Sequence, residues 1–430
     1  MTPHLLLRGG TLLHPRTQAT QSADLLIRDG VIAAIGDDLD VEDEVPEYDA
    51  SRAFISPGWM DMHVHFREPG YEHKETIATG SRAALAGGFT DVACMPNTDP
   101  PLHTRDVVEF VRERAEGTPV GVHPIACVSK ERAGEEIAEM ADLRAGGAVA
   151  FSDDGAPVPT AGLMRRALEY SGMLDRPIIN HMEEETLNPN GQMHEGAVST
   201  RLGLDGIPSA SEDVMIARDI ELAALTGGHL HVAHISTARG VELVRRAKAQ
   251  GVPVTAEVCT HHLTLTDEAV ETTQFDTNTK MHPPLRSAAD VAALKEGLAD
   301  GTIDAICTDH APHAPHEKQV EFAHAPFGIL GLETAWGLVG RALIEPGVLS
   351  VKEAVQKLTV APRRILGLDG PELVEGEPAR LTVFDASTEW TFTEDDLRSK
   401  SENTPFIGHE MLGRPWAVYS DGQFVECEEA

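Results

Sequence analysis

The sequence predicts an α/β protein, a (β/α)8 barrel of the TIM type with a small discontinuous β-sandwich domain drawn from both termini. Three observations predict it. Eight short apolar runs, near 55–60, 90–95, 121–127, 148–151, 177–180, 229–233, 253–258 and 303–308, recur along the middle of the chain. Helical periodicity fills most of the gaps between them, for example at 107–115, 161–174, 213–225, 240–249, 288–298 and 332–343. Both ends read instead as strands and hairpins. Eight strand–helix units in series describe a barrel. An open doubly wound sheet is the alternative, and it lacks a glycine-rich phosphate loop to support it.

At the N-terminal end, Leu5-Leu6-Leu7 leads to a turn expected at Gly9-Gly10, and Asp29-Gly30 is a two-residue hairpin signal between 24–28 and 31–35. The C-terminal end repeats this texture, with a strand at 380–385 and Asp421-Gly422 between 416–420 and 423–426. The expected division is therefore 1–55 with 370–430 as the small β domain and 56–369 as the barrel.

Composition narrows the function classes. The net charge is −34, from 69 acidic and 35 basic residues, which excludes general attraction to nucleic acid or to anionic membrane. With 41% hydrophobic residues and long periodic segments the chain is not an acidic disordered protein. Only nine of the 35 basic residues are lysine. Acid-rich and lysine-poor together suit a salt-loaded cytoplasm, as in a halophilic archaeon, where counterions screen the self-repulsion. Cys94, Cys127, Cys259, Cys307 and Cys427 are scattered and form no C-x-x-C, so a reducing compartment without disulfides is expected. No signal peptide and no apolar run of membrane length are visible, so the protein is expected to be cytoplasmic.

In a barrel of this kind, chemistry gathers where the strands end. His63-Val64-His65 ends the first run, and a strand turns both imidazoles of His-x-His to one face. Asn97 follows the second run, Asp153-Asp154 the fourth, His181 the fifth, His234 the sixth, and Asp309 with His313 the eighth. The third and seventh runs offer nothing as clear. The other histidines, His123, His194, His229, His231, His261, His262, His316, His324 and His409, are taken as ordinary core or rim residues. Four imidazoles and two carboxylates exceed one tetrahedral zinc and suit two divalent ions sharing an anionic bridge. No lysine lies between Lys130 and Lys248, so a carboxylate has to bridge, and Asp153-Asp154 is the pair at that strand end.

The string His63-Val64-His65-Phe66-Arg67-Glu68-Pro69-Gly70 resembles the signature of the dihydroorotases of the amidohydrolase superfamily. The likeness runs almost end to end through Met95-Pro96-Asn97-Thr98, Phe151–Gly155, 231–236, 280–286 and 308–313. It implies two Zn2+ ions, with His63, His65 and Asp309 on one, His181 and His234 on the other, and the second aspartate, Asp154, as bridge. It implies that Asp309 moves the proton while a metal-activated hydroxide attacks the ring amide. It implies further that Asn97, His282, His313, Phe327 and Gly328 hold the substrate, with His65 beside it. The reaction so implied is reversible closure of N-carbamoyl-L-aspartate to L-dihydroorotate and water.

Arg67 selects among the relatives, because a guanidinium can grip the α-carboxylate of dihydroorotate bidentately. Allantoinases carry a neutral residue there, and hydantoinases differ more widely. The chain departs from the bacterial pattern at His282, where asparagine is usual; neutral histidine offers one donor and one acceptor with a different reach. The stretch 313–327 reads as a loop able to close over the site. The competing readings are a related cyclic amidase of allantoinase or hydantoinase type and a non-catalytic scaffold. The partners expected are a small-molecule substrate, a second copy of the chain, or aspartate carbamoyltransferase.

Overall fold

The computed structural model describes residues 4–41 and 44–430. Eight parallel strands lie in sequence order: β1 (Trp59–Val64), β2 (Phe89–Cys94), β3 (Gly121–Ala126), β4 (Ala150–Phe151), β5 (Ile178–Asn180), β6 (Leu230–Val232), β7 (Val254–Cys259) and β8 (Ala305–Cys307). They are nearly continuous apolar runs because helices cover one face and the barrel interior fills the other. The ring closes between its first and last strands. Val64 bridges His310, and the His65 amide donates to the His310 carbonyl at 2.9 Å. Buried Asp61 seals the seam, accepting from the Thr308 amide at 3.3 Å and hydroxyl at 2.5 Å. The fold class matches the expectation.

The helix Val351–Leu366 packs against β1 and β8, its N-terminus capped by Ser350 and Glu353 and its end turned by Gly367. From it Arg363 reaches the Gly58 carbonyl at 2.8 Å and Asp91 at 2.6 Å. The periodicity that predicts a helix over 332–343 resolves into Ala335–Val339 followed by a π turn, Gly340–Ile344. At Gly340 a Cβ would sit 1.9 Å from the Leu412 carbonyl oxygen, so the strand Glu410–Leu412 lies directly against this turn.

Strands from both ends form one further eight-stranded sheet, in the order Gln423–Glu426, Pro415–Ser420, Leu381–Phe384, Phe54–Pro57, His4–His14, Ala19–Arg28 and Val31–Gly36, with Glu47–Asp49 beside His4–His14. Its inner face buries Leu5, Leu7, Leu12, Leu25, Ile27, Leu381 and Tyr419. Both Asp-Gly pairs make the expected tight turns, with φ 51° and 76° at Asp29-Gly30 and 49° and 70° at Asp421-Gly422. Two expectations are corrected. Gly9-Gly10 is not a turn but a bulge inside the single strand His4–His14, which bends so that its two halves meet different neighbours. A Cβ at Gly10 would come within 2.4 Å of Ile55 Cδ1, which is why the bend needs glycine. The apolar run at 55–60 is two strands, one in each sheet, broken at Gly58. The segment from Trp390 to Met411 packs Phe392 and Phe406 against Met281, Leu285, Ile329 and Leu338, beside the barrel mouth. Among the described residues no helix is long and apolar enough to cross a membrane.

Candidate active site

His63 lies inside β1, and His65, Asp154, His181, His234 and Asp309 lie within three residues of the ends of β1, β4, β5, β6 and β8. The structure brings all six together. Asp154 is central. Its Oδ2 lies 3.5 Å from His63 Nε2 and 3.4 Å from His65 Nε2, and its Oδ1 lies 3.4 Å from His234 Nε2 and 3.8 Å from His181 Nδ1. Asp309 Oδ1 stands 3.0 Å from His65 Nε2 and 3.6 Å from His63 Nε2. Two groups of donor atoms able to hold a cation, His63/His65/Asp154 and Asp154/His181/His234, therefore share one carboxylate.

The donor set fits cations on its own chemistry. His63 Nε2 and Asp154 Oδ1 are buried with no hydrogen-bond partner, which would be costly if nothing met them. Burial works against charge throughout; opposite charges outweigh it at His63 and Asp154, whereas at His65 burial prevails and lowers the imidazole. His63 is raised well above the ordinary imidazole range by Asp154 and Glu257, and Asp154 is held well below the carboxylate range by His63, His234 and His65. Asp153, by contrast, is turned away. Its oxygens accept from the amides of Val128 and Ser129 at 2.9 and 3.1 Å and from the Ser129 hydroxyl at 2.5 Å.

The backbone is bent to aim these groups. Arg67, His234 and Asp309 have φ of 63°, 31° and 50°, in the left-handed region, at a cost of about 1–3 kcal/mol each. Residues behind the cluster fix the tautomers of His65 and His63. Asn97 Oδ1 accepts from His65 Nδ1 at 2.8 Å. Glu257 Oε1, on β7, accepts from His63 Nδ1 at 2.6 Å, leaving Nε2 bare towards the cluster. Burial pushes Glu257 up, but His63 and His231 outweigh it and hold it down to about 2. The sequence reading missed Glu257. Its signal was present, since a carboxylate in the middle of an apolar strand requires a partner.

Around the mouth, Arg67 Nε donates to the Pro312 carbonyl at 3.2 Å. Its Nη atoms carry no hydrogen bond and no ion pair among the described residues. The acidic neighbours in sequence are otherwise engaged: Glu68 pairs with Arg114 at 2.8 Å, and Glu72 accepts from the Gly70 amide at 2.9 Å. Burial lowers Arg67 to about 10, although Asp309, Glu317 and Asp154 favour its charge. His313 Nε2 donates to the Phe327 carbonyl at 2.8 Å, and burial with Arg67 and Lys318 nearby pushes it down to about 2, so the ring is neutral. The Gly328 amide is already committed to the Lys280 carbonyl at 2.9 Å. His282 meets Glu183 through Nε2 and stacks on Phe327 with ring centroids 4.7 Å apart. Asn403, from the C-terminal segment, ties this rim together. It accepts from the His313 amide at 2.9 Å and donates to the carbonyls of Ala311 and Gly328 at 3.0 and 3.2 Å. No sequence signal marked it.

Comparison with known proteins agrees with this geometry. Residues 52–240 match the family described as Dihydro-orotase-like. A dihydroorotase of Pelotomaculum thermopropionicum is 52% identical over 421 residues, covering 98% of each chain. The chain belongs to the dihydroorotase family. A second member, from Anaeromyxobacter dehalogenans strain 2CP-C, is 48% identical over 100% of this chain and 99% of its own. The L-hydantoinase of Arthrobacter aurescens shares the fold at a TM-score of 0.86 and 25% identity, over 98% of this chain and 96% of that one. The relatives named here are bacterial.

Proposed function

We propose that this dihydroorotase-family protein is itself a dihydroorotase, interconverting N-carbamoyl-L-aspartate and L-dihydroorotate with two Zn2+ ions at the Asp154-centred cluster. The observation that carries the substrate choice is the unpaired guanidinium of Arg67 beside that cluster. Arg67 is half-buried, and a partly desolvated guanidinium with no carboxylate in ion-pair contact among the described residues is under-compensated until an anion arrives; the α-carboxylate of dihydroorotate supplies one. Hydantoin and allantoin bring none.

His63, His65 and Asp309 would hold one cation and His181 and His234 the other, with Asp154 between them. When bound, the pair lowers the pKa of water and polarises a carbonyl. The remaining work falls to the protein. Asp309 Oδ1 faces His65, and its other oxygen carries no protein hydrogen bond among the described residues, so that oxygen is free to take a proton from the attacking water. It returns the proton to the ring nitrogen as the carbon–nitrogen bond breaks. In the biosynthetic direction the carbamoyl nitrogen attacks the carboxyl carbon and water leaves. Arg67 orients the carboxylate, His313 and His282 line the ring, and the Asn97 carbonyl keeps the His65 ring turned to the cluster.

The same reading places the protein in a salt-rich cytoplasm, as a homo-oligomer or beside aspartate carbamoyltransferase, with residues 56–369 as the catalytic unit. The test is turnover of purified protein on L-dihydroorotate, before and after chelation. Hydrolysis is expected, lost with the metal and restored by Zn2+. Turnover of hydantoin with none of dihydroorotate would overturn the assignment.

A further inference from the structure

Beside the Asp154 cluster lies a second set of metal-ligating side chains that the proposed reaction does not use. Cys259 ends β7, and His261 and His262 follow in a short turn. One donor atom from each of the three lies within 4.8 Å of the others, and all three side chains are buried. Cys307, the register partner of Cys259 on β8, brings a second thiol to 3.6 Å from the first.

The ring nitrogens are the informative atoms. His262 Nε2 donates to the Pro283 carbonyl at 2.9 Å, which leaves Nδ1 as a bare lone pair. That Nδ1 is buried without a partner, and so are both ring nitrogens of His261. The two rings lie 4.4 Å apart. A small apolar cysteine packing in a barrel wall accounts for Cys259 alone. It does not account for three uncommitted imidazole nitrogens on the two rings grouped with that sulfur, since buried polar atoms are nearly always met.

We propose that Cys259, His261 and His262 form a further cation site for a thiophilic d10 ion such as Zn2+ or Cd2+, with Cys307 as an adjacent second thiol. Sulfur with imidazole selects such ions over Mg2+ or Ca2+. Tetrahedral bonds to sulfur and nitrogen place donors roughly 3.3–3.8 Å apart, and the three donors here already lie within 4.8 Å of one another. Each thiol that binds gives its proton to solvent and enters as thiolate.

The proposal does not rest on the reaction assigned above, and its test does not read turnover. Protein loaded with its resident cations is titrated with Cd2+ while thiolate-to-cadmium charge transfer is followed in the ultraviolet. One Cd2+ per chain is expected to raise the band. Cys259→Ser should abolish it, His261→Ala should weaken Cd2+ binding by about tenfold or more, and Cys94→Ser should leave it intact. No band in the wild type, or an undiminished band in Cys259→Ser, overturns the site. If Cys259→Ser does not fold, 113Cd NMR of the wild type decides. A resonance with mixed sulfur and nitrogen ligation is expected, and resonances of oxygen and nitrogen ligation alone overturn the proposal.

Discussion

Arg67 and the pair Asp153-Asp154 show how much a single side chain's partners decide. Arg67 is half-buried and, among the described residues, its guanidinium has one hydrogen-bond partner, the Pro312 carbonyl, and no ion pair. Arg67→Ala should therefore cost about 2–5 kcal/mol in transition-state binding of dihydroorotate, as when one member of a hydrogen-bonded charge pair is removed. Dihydrouracil, which lacks the carboxylate, should lose little. Comparing kcat/KM for the two substrates in both proteins checks this, and a preference surviving in Arg67→Ala would place the carboxylate elsewhere. Asp154 faces four imidazoles, whereas Asp153 is spent on Val128 and Ser129. Metal analysis of the two alanine variants should accordingly show loss of metal in Asp154→Ala and near-full retention in Asp153→Ala. The reverse pattern would move the proposed bridging role to Asp153.

Among the elements, the barrel floor is held by one buried carboxylate. Asp91, on β2, meets Arg363 of the helix Val351–Leu366 at 2.6 Å, Arg380 just before the strand Leu381–Phe384 of the terminal sheet at 2.5 Å, and His123 of β3 at 3.0 Å. Burial alone would raise its pKa, but Arg363, His123 and Arg380 outweigh that and hold it far below the usual range. A depressed folded pKa gives stability that is present above the unfolded value, about 3.9, and lost as pH falls below it. Asp91→Asn leaves Arg363 buried without its anion and should cost about 3–5 kcal/mol at neutral pH. Melting curves of both proteins from pH 7 downward should converge as the wild type loses this term below about pH 4. A gap that stays constant with pH would mean that the ion pairs contribute little.

At the scale of the whole molecule, charge is the controlling quantity. A net charge of −34 on 430 residues stores repulsion that salt screens, with a Debye length falling from about 10 Å at 0.1 M to about 3 Å at 1 M. The melting midpoint should therefore rise as KCl is raised towards molar concentration. A midpoint flat across that range would remove the salt-adapted reading and leave the enzymatic one untouched.

What the sequence determined by itself was whatever is encoded locally. Apolar runs and helical periods mark the barrel units because each strand and helix carries its own burial pattern. The candidate cluster of His63, His65, Asp154, His181, His234 and Asp309 is legible because its members sit at or just beyond the points where the runs stop. Position 9–10 was misread because glycine serves a bulge as well as a turn, and only the neighbours Ile55 and Glu47–Asp49 choose between them. Glu257 was invisible as a functional group because its partner is 194 residues away. Asn403 reaches the rim from a segment read as part of another unit. Arg67 is free only because Glu68 and Glu72 are engaged elsewhere, by Arg114 and the Gly70 amide. Tertiary structure decided these points because pairing, unlike burial pattern, is a property of two distant positions at once.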